Sequence, residues 1–350
     1  MIDVGLVGFG LAGRCFHAPV IRAVPGLRLA AILQRSGDSA AELFPDARIA
    51  RTLEDLLALA SVKLMVIATP NPSHFSLAKR CLQAGRHVVV DKPFTTTIAE
   101  ARELIALAGQ VNRILTVYHD RRFDADFQGL RKVIASGELG RILRFESTYD
   151  RYRPAPKPGA WREQPGPGSG VLFDLAPHLL DQSFMLLGTP EAINADIRTE
   201  RAGFSTDDAF DLLLHYPEGA RALLRATMLA ARPRPRTVVL AQNGSYRKRD
   251  FDPLELTLRA GQLPEGDSWA LEKEENWGEL TLIKDGRPMT RRVPSIGDWR
   301  DFYANVRDAI LGTAALLVTT QQILDVMVAM ELAVLSSSQR RTVGWHHFDA

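Results

Sequence analysis

The sequence predicts an α/β protein of two domains: a doubly wound parallel sheet over residues 1–122, and over residues 123–350 an α/β domain built on a mostly antiparallel sheet. Three observations lead there. Short apolar runs alternate with helical patterns through the first 120 residues, a glycine-rich turn follows the first such run, and beyond about residue 122 longer strand-like segments crowd together. A chain of 350 residues with 46% hydrophobic content is also long for a single core.

In the first part, VGLVG, LRLAAIL, LMVIAT, HVVV and ILTVY read as strands, separated by helical segments such as 53–60, 74–84 and 97–109. Uninterrupted apolar runs suit strands covered on both faces, the arrangement that βαβ alternation produces. In the second part, segments 141–150, 191–201, 208–216 and 220–229 carry strand patterns at the close spacing of a mostly antiparallel sheet. Residues 152–170 hold five prolines and four glycines, which makes them a loop, and 320–336 reads as a late apolar helix.

Charge is balanced, with 43 basic against 41 acidic residues and a net +2, so there is no general electrostatic footprint for nucleic acid. Cys15 and Cys81 form neither a CxxC nor a metal-ligand spacing. No metal site is expected, and so few thiols suit a reducing compartment, with the cytoplasm as the expected location. No signal-like segment precedes the first motif and no apolar run matches a bilayer, so no membrane partner is expected.

The turn after the first strand is GFGLAG, with Gly8, Gly10 and Gly13 in GxGxxG spacing around Leu11 and Ala12. The first two glycines let the backbone turn tightly and approach a pyrophosphate, the third permits close helix packing, and the helix start supplies amide protons. A glycine turn without a ligand has the same spacing; the position between strand and helix favours the dinucleotide. Where an acid would normally hold an NAD ribose, the chain reads Gln34, Arg35, Ser36. A guanidinium and a hydroxyl suit a 2′-phosphate, which favours NADP, while nearby Asp38 keeps NAD open.

Lys92, one of eight lysines, lies in VVVDKPF at the carboxyl end of a strand, the edge that faces ligands in an open parallel sheet. It could hydrogen-bond a substrate oxygen, or simply pair with Asp91. In FDLAPHLLD, Asp174 and His178 stand four positions apart and share one helix face. Pro177 is expected in a first helical turn, where the dipole would disfavour imidazolium and leave His178 able to accept a proton. An acid near a helix start beside a structural histidine fits the same residues.

Five stretches, GFGLAGRCFHAP, TPNPSHFSLAKRCLQAGRHVVVDKPF, VYHDRRFDADF, WREQPGPGSG and FDLAPHLLDQ, together resemble the glucose-fructose oxidoreductase/inositol dehydrogenase/rhizopine catabolism (Gfo/Idh/MocA) family, within it the NADP-dependent scyllo-inositol dehydrogenase branch. The resemblance covers nearly the whole chain. It implies an N-terminal Rossmann domain, a C-terminal α/β domain with an open sheet, and an active site in the cleft between them. It also implies roles: Lys92 on the reacting oxygen, Asp174 as orienting acid and His178 as general acid/base, taking a hydroxyl proton as hydride leaves for the nicotinamide. Thr69, Pro70, Asn71 and His74 would line the cofactor. Tyr118 and His119 would face the substrate, and so would Arg153, Trp161 and Arg162 from the Pro/Gly loop. A polyol or sugar substrate follows from the same likeness, and the open sheet, whose exposed apolar face needs covering, predicts a homo-oligomer, dimer or tetramer. Asp120 and Phe173 depart from the asparagine and tyrosine common in that branch, which bears on substrate identity. Alternatives are a non-catalytic NAD(P)-binding sensor, and an enzyme that uses bound NAD for transient oxidation during elimination or glycoside cleavage.

Overall fold

The computed structural model describes the chain except residues 158, 267, 268, 270, 349 and 350, so Pro158 of the Pro/Gly loop lies outside the described residues. Strands β1 (Ile2–Val7), β2 (Leu27–Leu33), β3 (Arg48–Ala50), β4 (Val62–Ile67), β5 (His87–Val90) and β6 (Leu115–Val117) form one sheet, interleaved with α1 (Ala18–Ala23), α2 (Ser39–Leu43), α3 (Leu53–Leu57), α4 (His74–Gln83) and α5 (Ile98–Gln110). Among the described residues its order is β3-β2-β1-β4-β5-β6 and every pairing is parallel, the doubly wound arrangement of a Rossmann sheet. Burial explains the apolar runs: every residue of β1 and β6 is buried, as sheets covered on both faces require. The helices cover it with stripes. In α4 the buried positions are His74, Ala78, Cys81 and Leu82, one face at helical spacing. Thr97 caps α5 by accepting from Glu100 N, and Thr52 with Asp55 forms a capping box on α3.

The second sheet is assembled from β7 (Ile142–Asp150), β8 (Ala192–Arg198), β9 (Ala209–His215), β10 (Arg221–Thr227), β11 (Thr237–Ala241), β12 (Gly244–Lys248), β13 (Gly278–Lys284), β14 (Arg287–Val293) and the short β15 (Val343–Gly344). α6 (Ala125–Ala135), α7 (Gly170–Leu187) and most of α10 (Thr320–Gln339) accompany it, whereas α8 (Leu254–Arg259) and α9 (Arg300–Ile310) lie in segments that return to the first sheet's unit. Among the described residues the order is β14-β13-β12-β11-β7-β10-β9-β8-β15, antiparallel except for the β10–β7 pair. β10 alternates half-buried and buried residues along its length, so one face meets a core. Into that face pack Leu172, Leu175 and Leu179 of α7 with Met330 and Ala333 of α10.

Contacts divide the chain into a first unit of residues 1–120, 253–270 and 298–324, and a second of 121–252, 271–297 and 325–350. The division therefore differs from a single boundary near residue 122. The returning segments belong to the first unit because they cover apolar surface there. Buried Trp299 meets Phe16 and Tyr118 edge-on, Thr116 Oγ1 donates to the Val318 carbonyl at 2.8 Å, and Arg307 Nη1 donates to the Pro25 carbonyl at 2.5 Å. None of the described helices is long and apolar enough to cross a membrane.

Candidate active site

The carboxyl edge of the parallel sheet collects the first group of residues. Gly8, directly after β1, takes φ +102°, and a Cβ there would stand 2.6 Å from the Ala68 carbonyl oxygen. A Cβ on Gly13 would stand 2.1 Å from the Gly8 carbonyl oxygen. Both glycines are thus demanded by the protein's own backbone. Gly10 is different: a Cβ there would meet nothing within 4 Å. The fold has no use for glycine at that position, and the room fits a group that must come close to the backbone, as a pyrophosphate does. Leu11 is exposed and Ala12 half-buried beside it. The helix that follows widens for one turn at Gly13–His17, with Ala18 N donating to Gly13 O, and has no acid in its first turn to repel an anion.

At the end of β2, Arg35 and Ser36 are exposed, and Arg35 has no ion-pair partner among the described residues. Asp38, the residue that kept NAD open, is held by Arg51, whose Nη2 donates to its Oδ1 at 2.7 Å. Gln34 caps the next helix, its Oε1 accepting from Ala40 N at 2.8 Å.

After β4, the Ser73 hydroxyl donates to the Pro70 carbonyl and shares a hydrogen bond with the Thr69 hydroxyl, both at 2.7 Å, folding the Thr69–Pro70 turn onto α4, with Asn71 buried. His74 is the remaining residue of this stretch expected to line the cofactor. It is fully buried, and hydrogen bonds join its Nδ1 to the Pro93 carbonyl at 2.9 Å and its Nε2 to the Thr69 carbonyl at 2.8 Å. Both ring nitrogens serve the backbone, so this histidine ties the loop after β4 to the loop that carries Lys92 rather than offering a nitrogen to a ligand.

Lys92 follows β5 by two residues and precedes Pro93 through a cis peptide bond; its backbone N donates to Asp91 Oδ1 at 2.8 Å. Burial works to raise the Asp91 carboxyl, but His17, Lys92 and His74 around it outweigh that effect and hold it below the usual carboxylate range. His17 went unnoticed in the sequence because nothing in its spacing marks it: it is buried, its Nδ1 shares a 2.6 Å hydrogen bond with the Tyr303 hydroxyl, and its Nε2 stands 3.9 Å from Asp91 Oδ1. Tyr118, expected to face the substrate, directly follows β6. Its hydroxyl donates to the Phe16 carbonyl and its ring is enclosed by His17, Trp299, Phe302 and Tyr303, so within this unit it is core. His119 beside it is buried.

In the second unit, α7 brings Asp174 and His178 to one face. Pro177 is not in a first turn, however, because the helix begins seven residues earlier, at Gly170. Gly170 takes φ +88° and packs so closely on Asp207 that a Cβ would overlap its carboxylate; Val171 N donates to Asp207 O and Leu172 N to Asp207 Oδ2. Asp207 lies far away in sequence, so local pattern could not reveal this start. The dipole argument for His178 falls with it, since that field fades within the first turn. His178 is instead buried, its ring stacked at 6.3 Å on Tyr149 of β7. Asp174 sits 3.2 Å from Arg162 Nε of the Pro/Gly loop and 3.9 Å from Arg151 Nη1, just past β7. Arg162 also lies 4.5 Å over the Trp161 ring, so loop and helix are joined through this guanidinium. Arg153 is exposed; its backbone N donates to Met228 O at 2.7 Å.

A parallel sheet in this order, with a glycine loop and a lysine at its carboxyl edge, defines the first unit as a dinucleotide-binding domain. Residues 2–119 match the oxidoreductase family described by its NAD-binding Rossmann fold, and residues 127–247 match the GFO/IDH/MocA C-terminal domain. The chain is 40% identical to the uncharacterized oxidoreductase YdgJ of Escherichia coli, over 98% of each chain. It is 34% identical to the scyllo-inositol 2-dehydrogenase (NADP(+)) IolW of Bacillus subtilis, over 99% of this chain and 96% of that one. The solved structure of yvaA from Bacillus subtilis, an oxidoreductase by name, superposes with a TM-score of 0.94 at 34% identity, covering 98% of both chains. The chain belongs to the GFO/IDH/MocA family of NAD(P)-binding oxidoreductases, and it is an enzyme of that class.

Proposed function

We propose that the protein is an NADP-dependent dehydrogenase that oxidises a secondary alcohol of a cyclitol or sugar, reversibly, in the manner of scyllo-inositol dehydrogenases. The observation that carries this reading is the gathering of the Gly10 loop and Lys92 at one edge of one sheet, on the adjoining strands β1, β4 and β5. IolW and a levoglucosan dehydrogenase among the relatives support the substrate class. Exposed Arg35 and Ser36, with Asp38 engaged by Arg51, support NADP.

The residues present suit the nucleotide. The Gly8–Gly13 turn would hold the pyrophosphate, with Leu11 and Ala12 at its rim; Arg35 and Ser36 would hold the 2′-phosphate, and the Thr69–Asn71 turn would flank the dinucleotide. A bound nicotinamide supplies the hydride acceptor. Lys92 Nζ hydrogen-bonds the reacting oxygen and stabilises its developing negative charge. His178 would take the hydroxyl proton as the alcohol becomes a ketone, with the carbon-bound hydrogen leaving as hydride for the bound nicotinamide, and would then release that proton. Asp174, anchored by Arg162 and Arg151, orients substrate hydroxyls together with Arg153 and Trp161, and His119 completes the substrate contacts. A second copy of the chain covers the outer face of the larger sheet, where Leu213 pairs with Leu223 and Leu240 and Ile283 are exposed or half-exposed.

A panel of inositols and aldoses with NADP and NAD, followed by absorbance of the reduced nicotinamide, tests this. Turnover on at least one member is expected, with Lys92→Ala and His178→Ala each lowering kcat/KM by about 10² or more. Near wild-type turnover in either variant would refute the assigned roles.

A further inference from the structure

We infer that Arg51 sets the preference for a 2′-phosphorylated nucleotide by holding Asp38 away from the ribose; the inference rests on the nucleotide reading of the glycine loop. Arg51 follows β3, the neighbour of β2 in the sheet. Its Nη1 donates to the Gln34 carbonyl at 3.0 Å and the Gly37 carbonyl at 2.7 Å, while Nη2 donates to Asp38 Oδ1 at 2.7 Å. One guanidinium therefore pins three residues of the loop after β2, the loop in which a Rossmann chain usually presents the acid for the ribose hydroxyls.

The remaining polar groups are already engaged. Gln34 Nε2 donates to Ser39 Oγ and its Oε1 accepts from Ala40 N, while Asp55 accepts from the backbone of Arg51 and Thr52. Arg35, Arg51 and Asp38 together leave one positive charge, and Arg35 is the exposed group without an ion-pair partner among the described residues. A phosphomonoester placed here meets a free guanidinium and the Ser36 hydroxyl, whereas a plain ribose meets a carboxylate already committed to Arg51. Arginine is needed for this task, because a lysine ammonium cannot present a rigid fork to two carbonyls and a carboxylate at once.

The test titrates the full-length protein calorimetrically with 2′,5′-ADP and 5′-AMP. The wild type should prefer 2′,5′-ADP. Arg51→Ala releases Asp38 and should lower that preference about tenfold, the scale of one hydrogen bond to a charged group. Arg51→Lys should lower it too, and the double variant Arg51→Ala/Asp38→Ala should recover most of it, since the released charge is gone. Because Arg51 and Asp38 are exposed partners, the double variant removes the pair whole and keeps the fold, which melting curves would verify. A ratio unchanged in Arg51→Ala, no recovery in the double variant, or equal binding of both probes by the wild type would overturn the inference while leaving the nucleotide site standing. Failure of the wild type to bind either probe would instead overturn the nucleotide reading beneath it.

Discussion

Alanine at Gly10 and alanine at Gly13 should do opposite things, although both sit in one glycine turn. At Gly13 the new Cβ would lie 2.1 Å from the Gly8 carbonyl oxygen and 3.1 Å from its carbon. An ordinary carbon–oxygen contact is about 3.3 Å or more, so helix and turn must separate by roughly 1 Å. Overpacking of this kind costs about 1–3 kcal/mol and more when backbone must move, against a gain of about 1 kcal/mol for alanine over glycine in a helix. A net loss of about 2 kcal/mol lowers the melting temperature by roughly 4–8 °C for a unit of this size. At Gly10 nothing lies within 4 Å, and its φ is not in the left-handed region, so the melting temperature should stay within about 1 °C. The methyl group would instead occupy the space left for the pyrophosphate, and NADP should bind about tenfold or more weakly. Differential scanning fluorimetry and calorimetric titration read the two effects separately. Wild-type NADP affinity in Gly10→Ala, or wild-type melting in Gly13→Ala, would refute this division of labour.

Two further outcomes concern stability. Arg122 and Asp181 form a buried two-point ion pair at 2.7 and 2.5 Å, so Arg122→Ala removes this bidentate partner from a buried carboxylate and should cost about 3–5 kcal/mol by chemical denaturation, while replacing both residues with apolar side chains should recover much of it. The hydrogen bond from Arg28 holds the Asp3 carboxyl below its usual range, outweighing burial. Its contribution is therefore complete above the unfolded-state pKa and disappears as pH falls through the folded-state value. With Arg28 more than half exposed, Asp3→Asn should cost at most about 1 kcal/mol near neutrality, and the difference from wild type should vanish in melting curves towards pH 3 or below.

The parallel sheet was legible because its inner strands are buried on both sides over most of their length, as β1 is throughout, which leaves near-continuous apolar runs in the sequence. The same rule explains what was missed. β14 exposes nearly every residue, RPMTRRV, and so carries no apolar signal; β3 has only three residues. The glycine turn could be read from spacing, which gave Gly13 to close helix packing but left Gly8 and Gly10 undivided between the tight turn and room for a ligand. Distinguishing those two takes the distance to Ala68. Pro177 misled in a definite way: proline prefers a first turn, but here tertiary anchoring of Gly170 on Asp207 begins the helix earlier and carries the proline in its interior. The motif stretches holding His74 and Tyr118 gave no sign of their packing: His74 bridges two backbone carbonyls and Tyr118 lies in an aromatic cluster. The returning segments around Trp299 and Val318 could not be assigned from local texture, because their partners lie more than 180 positions away.

The most direct measurement of the central claim is the fate of a carbon-bound deuterium. An inositol labelled at its secondary carbons, incubated with NADP and the wild-type protein, should yield reduced nucleotide one mass unit heavier, and Lys92→Ala and His178→Ala should each suppress that label about a hundredfold. Reduced nucleotide without the label, or label transfer undiminished in both variants, would contradict the account.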